Sequence, residues 1–192
     1  MLHSAPTSVS ISLPSWVADS VPWERRFTTD EDKMSLAIAL ARENVAFRTG
    51  GPFGAAIFAV DTGRLVAVGV NSVVRLNNAT LHAEMVAYML AQHRVGSFTL
   101  DAEGMPPHEL VTSCEPCAMC LGATLWSGVR RLVIGARRED ALAIGFDEGP
   151  VFDASHDYLR ERGVEIATDV LRDEAREVLE LYHAQAGSIY NG

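Results

Sequence analysis

The chain has 192 residues, 48% hydrophobic and 21% charged, with a formal net charge of −9 and an isoelectric point of about 5.1. That is chain enough for one domain with a proper core and an ordinary globular composition, and no apolar run reaches the length of a membrane-spanning helix. The acidic balance argues against a nucleic-acid binder, whose affinity rests on a basic face. The opening MLHSAPTSVSISLPSW lacks the order of a secretion signal, so a cytoplasmic location is expected.

Residues 1–28 are rich in Ser, Pro and Thr, and Trp16 and Trp23 mark them as an arm packed on a body of residues 29–192. From Thr29, the caps and acids of TTDEDK and the apolar spacing of MSLAIALARENVAF predict a helix that stops at TGG. GAAIFAV (54–60) and RLVAVGVNSV (64–73), joined by DTG, predict an antiparallel hairpin. LNNATLHAEMVAYMLAQHR turns helical near Thr80 to His82. HELVTS (108–113) predicts a strand, and PCAMCLGATLWSG a helix with Pro116 near its first turn and Gly128 at its end. RRLVIGA (130–136) and VEIATDV (164–170) predict strands joined by a loop. LRDEAREVLELYHAQAG is a closing helix with Leu171, Ala175, Val178, Leu179 and Tyr182 on one face, before the tail SIYNG. Strands linked through helices run parallel and hairpin strands antiparallel, so this order predicts an α/β protein with a five-stranded mixed sheet covered by helices.

All three cysteines fall in TSCEPCAMC (112–120). An odd, clustered set is not a disulfide framework and points to metal binding or chemistry. Pro116 keeps Glu115 extended, which leaves Cys114 at the strand end as a buried bystander. Cys117 and Cys120 lie one turn apart on one face of the next helix, whose positive end favours the thiolates that bind metal. They are half of a zinc site. The histidines (His3, His82, His93, His108, His156 and His183) contain no H-x₃₋₅-H pair. In LHAEMVA, however, His82 and Glu84 open a helix, where both can face one spot. One His and two Cys leave the fourth zinc position open, the mark of a catalytic site. Glu84 beside it is placed to carry a proton from water to substrate. The competing readings are a capping His with two core cysteines, or a zinc-stabilised binding protein, in which Glu84 has no task.

H-x-E followed by P-C-x-x-C is the signature of zinc-dependent nucleobase deaminases, matched here by HAE (82–84) and PCAMC (116–120). With its element order the chain resembles the cytidine and deoxycytidylate deaminase family, which implies a three-layer α-β-α, cytidine-deaminase-like fold. TGGPFGAAIF (49–58), TSCEPCAMCLGA (112–123) and IGFDEGP (144–150) resemble the guanine deaminase branch, from about residue 30 to the C-terminus. This resemblance implies hydrolysis of guanine to xanthine and ammonia. It implies one zinc per subunit on His82, Cys117 and Cys120, Glu84 as the proton shuttle, and a second acid in the FDEG loop, Glu148 ahead of Asp147. A plain acidic turn is the alternative for that pair. Phe53 is read as a purine platform or a core aromatic, and Asn71 as a base contact or a turn residue. The amide of Ala83 and the ring face of His82 can also meet the base, with Asp147 at the same site. The resemblance further implies a homodimer whose C-terminal segment reaches over the neighbour's active site. Tyr190 then helps close the pocket, against a frayed terminus as the alternative. Trp126 is assigned to core or dimer interface. Competing substrates are an aminotriazine such as ammeline, cytosine or a nucleoside; tRNA adenosine is disfavoured by the acidic charge.

Overall fold

Side chains on successive strand residues point to opposite faces of a sheet, and here both faces are apolar. Ala56, Phe58, Val111 and Val133 enter one core; their neighbours Ala55, Ile57, Leu110, Leu132 and Ile134 enter another. A sheet of this kind needs helices on both sides. The computed structural model describes residues 7–191; the first six residues of the arm, His3 among them, and Gly192 lie outside the described residues. In chain order the elements are α1 (Val17–Ser20), α2 (Asp30–Ala46), β1 (Gly54–Ala59), β2 (Arg64–Val70), α3 (Val73–Leu76), α4 (Ala83–Val95) and β3 (His108–Cys114). There follow α5 (Ala118–Ser127), β4 (Arg131–Ala136), α6 (Arg138–Ala143), α7 (Asp153–Glu161), β5 (Glu165–Ala167) and α8 (Arg172–Ala184).

The sheet order is β2-β1-β3-β4-β5, with β1 antiparallel to both β2 and β3, and β3, β4 and β5 parallel. β2 and β3, linked through α4, therefore run the same way with β1 between them. Helices α2 and α8 cover one face and α4 covers the other beside α5. The result is the expected three-layer α/β architecture with a five-stranded mixed sheet. The described part of the arm lies on the α2 side, burying Val17, Val21 and Phe27. That cover explains why α2 is buried well beyond a single stripe, from Lys33 and Met34 to Asn44 and Val45.

Several boundaries differ from the sequence reading. β2 ends at Val70, three residues early, because Asn71 and Ser72 leave the ladder and Val73–Leu76 turns helical. Cys117 is the N-cap of α5, and Pro116 immediately precedes it, near the first turn as expected. β5 pairs with β4 over only three residues. The expected loop between them holds α6 and α7, which bury only Ala141 and Leu159. Both are short and mostly exposed, with one buried residue each, so little buried apolar pattern marks them.

The end of the sheet opposite the cysteines carries a ladder of charges. Glu109, Arg131 and Glu165 are register partners on β3, β4 and β5. Arg131 also pairs with Asp30, and Lys33 Nζ meets Glu109 Oε1 at 2.5 Å with both side chains buried. Breaking a buried pair from one side strands the other charge, at about 3–5 kcal/mol. Because Arg131 still compensates one Glu109 oxygen, we expect Lys33→Met to cost about 3 kcal/mol, read as a lowered urea midpoint with unchanged slope.

Candidate active site

β2 and β3 deliver the chain to the same end of the sheet, and α4 and α5 start there. In open α/β sheets this is where ligands bind. His82 is the N-cap of α4 and Cys117 the N-cap of α5, and neither side chain makes a capping hydrogen bond. Both are free to ligate. Cys120 follows one turn into α5. Ligand atoms of His82, Cys117 and Cys120 lie within 4.8 Å of one another, with Cys117 Sγ and His82 Nδ1 3.5 Å apart. Zinc bonds of about 2.3 Å to sulfur and about 2.05 Å to nitrogen at a tetrahedral angle require about 3.6 Å between those atoms, so this sulfur–nitrogen pair has the spacing zinc needs. Cys114 is buried at the end of β3 with its Sγ 3.8 Å from the Arg137 carbonyl, outside this group.

The thiols are already polarised. A hydrogen bond from Cys120, opposed by burial and helped by His82, pushes the Cys117 thiol down to about 4. The same hydrogen bond, with burial, drives Cys120 far up. Zinc binds thiolates, so its uptake by both sulfurs would release the thiol protons. Burial, then the Cys117 charge, raises Glu84 to about 7. Glu148 rises to about 8 from burial, the Cys117 charge and Glu84. Two carboxyls in one dry pocket disfavour joint ionisation.

Both carboxyls line one pocket with Phe53, His82, Glu115, Cys117, Tyr190 and Asn191, whose free volume is only about 10 Å³. The tail fills it. Tyr190 leans on Phe146 at 5.1 Å, and Asn191 ties to the FDEG loop in both directions: its Nδ2 donates to the Asp147 carbonyl, and the Asp147 amide donates to its carbonyl. The tail therefore covers the pocket of its own chain. Phe53 stands edge-on to Phe146, centroids 5.0 Å apart. A separate, wider cleft of about 740 Å³, lined by Thr49, Gly51, Arg75 and Ser188 among others, opens beside the tail.

Other predicted residues fall elsewhere. Asp147 is exposed, its carboxylate accepting from the Gly149 amide to close the turn that aims Glu148 inward. Asn71 is buried at the end of β2, its backbone amide donating to the carbonyl of the pocket residue Phe53. Its Oδ1 faces the amides of Gly51 and Val73, both at 3.4 Å, and its Nδ2 has no partner among the described residues. Ala83 is fully buried at the head of α4. Three pocket groups escaped the sequence reading. Glu115 is held by the Arg138 amide at 3.1 Å and lies 3.4 Å from His156 Nε2; its place before Pro116 was a signal, since that residue must be extended at the site. Asn191 and the supporting Phe146 carried no signal of their own.

A His/Cys/Cys cluster on two helix starts, with a non-ligating glutamate beside it on a three-layer sheet, defines a zinc-dependent deaminase. The chain belongs to the family described as cytidine and deoxycytidylate deaminase zinc-binding region, whose model matches residues 27–136. It is 39% identical to guanine deaminase of Bacillus subtilis (strain 168) over 122 residues, 64% of this chain and 74% of that protein. It is 42% identical to the structure of guanine deaminase from Nitrosomonas europaea, with a TM-score of 0.89 over 95% of this chain and all of that one. A related chain solved in complex with 8-azaguanine is 43% identical, with a TM-score of 0.89 over 93% of this chain and 98% of that one. The protein is a zinc-dependent hydrolase of the deaminase type. Replacing Cys117 or Cys120 by Ala is expected to strip zinc from the purified protein, while Cys114→Ala leaves zinc content unchanged; elemental analysis of the three variants decides.

Proposed function

We propose that this enzyme hydrolyses guanine to xanthine and ammonia, with one zinc per chain. The observation that carries the reading is the convergence of two buried carboxyls, Glu84 and Glu148, on one closed pocket beside the three ligand atoms, between the aromatic groups Phe53 and Tyr190. Such a pocket suits a flat, uncharged base. The guanine deaminases at 39% and 42% identity support guanine itself.

His82, Cys117 and Cys120 would hold the zinc, which would lower the pKa of a bound water towards neutrality. Glu84, buried beside the ligand atoms, is placed to take a proton from that water and pass it to a ring nitrogen of guanine. The water oxygen adds to C2. Glu148 then protonates the amine, which leaves as ammonia, and the remaining hydroxyl proton returns to the carboxylate. Asn71 Nδ2, buried and unpartnered, donates to the base. Tyr190 shuts out water; the tail moves aside to admit substrate, since about 10 Å³ holds no base. Reduced cysteine ligands suit a cytoplasmic location.

Purified zinc enzyme is expected to form xanthine and ammonia in equal amounts. Glu84→Gln keeps zinc and loses about 10²–10⁴ in turnover, the usual share of a positioned acid–base group. A wild type inert towards guanine but active on ammeline or cytosine shifts the substrate, and Glu84→Gln with full turnover removes the shuttle. Zinc offsets the thiolate's push on Glu148 but not that of burial, so its pKa stays raised. Its donating form is present at neutral pH and disappears as pH rises through that pKa. The rate profile therefore has an alkaline fall that Glu148→Gln abolishes along with most of the activity.

The homodimer implied by the resemblance finds a candidate surface on α5 and α7. Trp126 is 78% exposed there, with Phe152 and Tyr158, beside an apolar groove that includes Leu121 and Leu125. Contiguous exposed apolar surface of this kind marks association. Trp126→Asp is expected to convert a dimer to a monomer in sedimentation velocity; a wild type that sediments as a monomer overturns the dimer.

A further inference from the structure

We propose that Asn44 is a positioning residue for the base pocket, and that the N-terminal arm sets it through a relay from Trp16 by way of Thr49. The proposal rests on the reading of Phe53, Asn71 and Tyr190 as groups that meet the base.

Asn44 is fully buried near the end of α2, and its side chain uses both amide donors and accepts at its oxygen. Nδ2 donates to the Gly51 carbonyl and to the Asn71 carbonyl, each at 2.9 Å. Oδ1 accepts the Thr49 hydroxyl at 2.7 Å. The Thr49 oxygen in turn accepts the indole N–H of Trp16 at 3.0 Å. One amide thereby staples two segments that are 20 residues apart in sequence. The first is the Gly50–Gly51 bend leading to Phe53; the second is the end of β2 with Asn71.

The staple sits where the chain has no slack. A Cβ on Gly50 would lie 1.9 Å from the Asn71 carbonyl oxygen and 2.6 Å from Asn44 Nδ2. A Cβ on Gly51 would lie 2.5 Å from the Tyr190 hydroxyl. The Asn71 amide donates to the Phe53 carbonyl at 3.1 Å. A displacement of Asn44 thus moves the bend, and the bend touches all three base-facing groups. Two unsatisfied carbonyls, both buried, would oppose any such displacement.

The arm reaches the same assembly twice. Beyond the Trp16–Thr49 bond, Arg75 donates to the Ser12 carbonyl and to Ser72 Oγ, directly after Asn71. Anchoring alone does not need the relay: Val17 and Val21 are buried, and Trp16 stacks on Phe47 at 5.7 Å. The polar chain runs inward past that anchor and ends on the pocket's own loops.

The test cuts the relay without emptying the core. Thr49→Val removes the hydroxyl at equal shape, Thr49→Ser restores it, and Trp16→Phe removes the N–H while keeping an aromatic ring to stack on Phe47. For Thr49→Val and Trp16→Phe we expect KM for guanine to rise about five- to tenfold, the worth of one hydrogen bond. We expect kcat to change by less than about twofold, zinc content to stay constant, and Thr49→Ser to recover the wild-type KM. Affinity for 8-azaguanine, measured by calorimetry, falls in parallel. Should Thr49→Val fail to fold, Trp16→Phe at the outer end of the relay carries the test. Variants that melt earlier yet keep wild-type KM and 8-azaguanine affinity overturn the positioning role and leave the proposed function intact. A wild type that turns over another base is compared on that base. A wild type that binds and converts none of them overturns both readings.

Discussion

Two helix starts that meet at one end of the sheet are the constraint on which the rest depends. An N-cap is normally Ser, Thr, Asp or Asn, whose oxygen satisfies an orphan amide. Here α4 and α5 are capped by His82 and Cys117, and neither side chain makes that bond. Helix stability is given up locally so that imidazole and thiolate point at a common centre. The positive helix ends favour the charged sulfur. The parallel course of β2 and β3 brings the two starts together, since each strand hands its chain to the same edge.

Once that centre exists, burial tunes the groups around it. The carboxyls of Glu84 and Glu148 are raised because the pocket is dry and already carries thiolate charge. Dryness depends on Tyr190 and Asn191 of the tail, and the tail is held by hydrophobic contact with Phe146 and by hydrogen bonds to the FDEG loop. That loop in turn depends on Asp147, which turns outward to cap it and so turns Glu148 inward. Glu148 and the tail form one structural unit. On the other side, Asn44 ties the Gly50–Gly51 bend to Asn71. At the far end of the sheet the Lys33–Glu109–Arg131 cluster fixes the starts of β3 and β4, away from the chemistry.

Much of this was legible in the chain. The five strands and the helices flanking the site showed as alternation and helical spacing, because both sheet faces are covered and the buried positions are apolar. HAE and PCAMC pointed to the cluster of His82, Cys117 and Cys120 with Glu84 beside it, because metal chemistry demands those residue types at those spacings. α6 and α7 were not legible, since each buries a single residue. The end of β2 was not, since Asn71 leaves the ladder for a carbonyl contact with Asn44 that is 27 residues away in sequence. Glu115 was half legible through Pro116, and Asn191 not at all.

The sequence by itself determined the class of site: which atoms can hold zinc, which carboxylate stands beside them, and that the sheet is mixed and covered. These follow from local patterns, because capping, spacing and periodicity act over a few residues. Only the tertiary structure buried Glu148 and exposed Asp147, closed the pocket with Tyr190, left the Asn71 side-chain amide without a partner among the described residues and joined the arm to Asn44. Each of those outcomes depends on which polar group finds a partner across the fold and which is stranded in a dry interior. Desolvation is a property of the packed volume, and no window of sequence contains it.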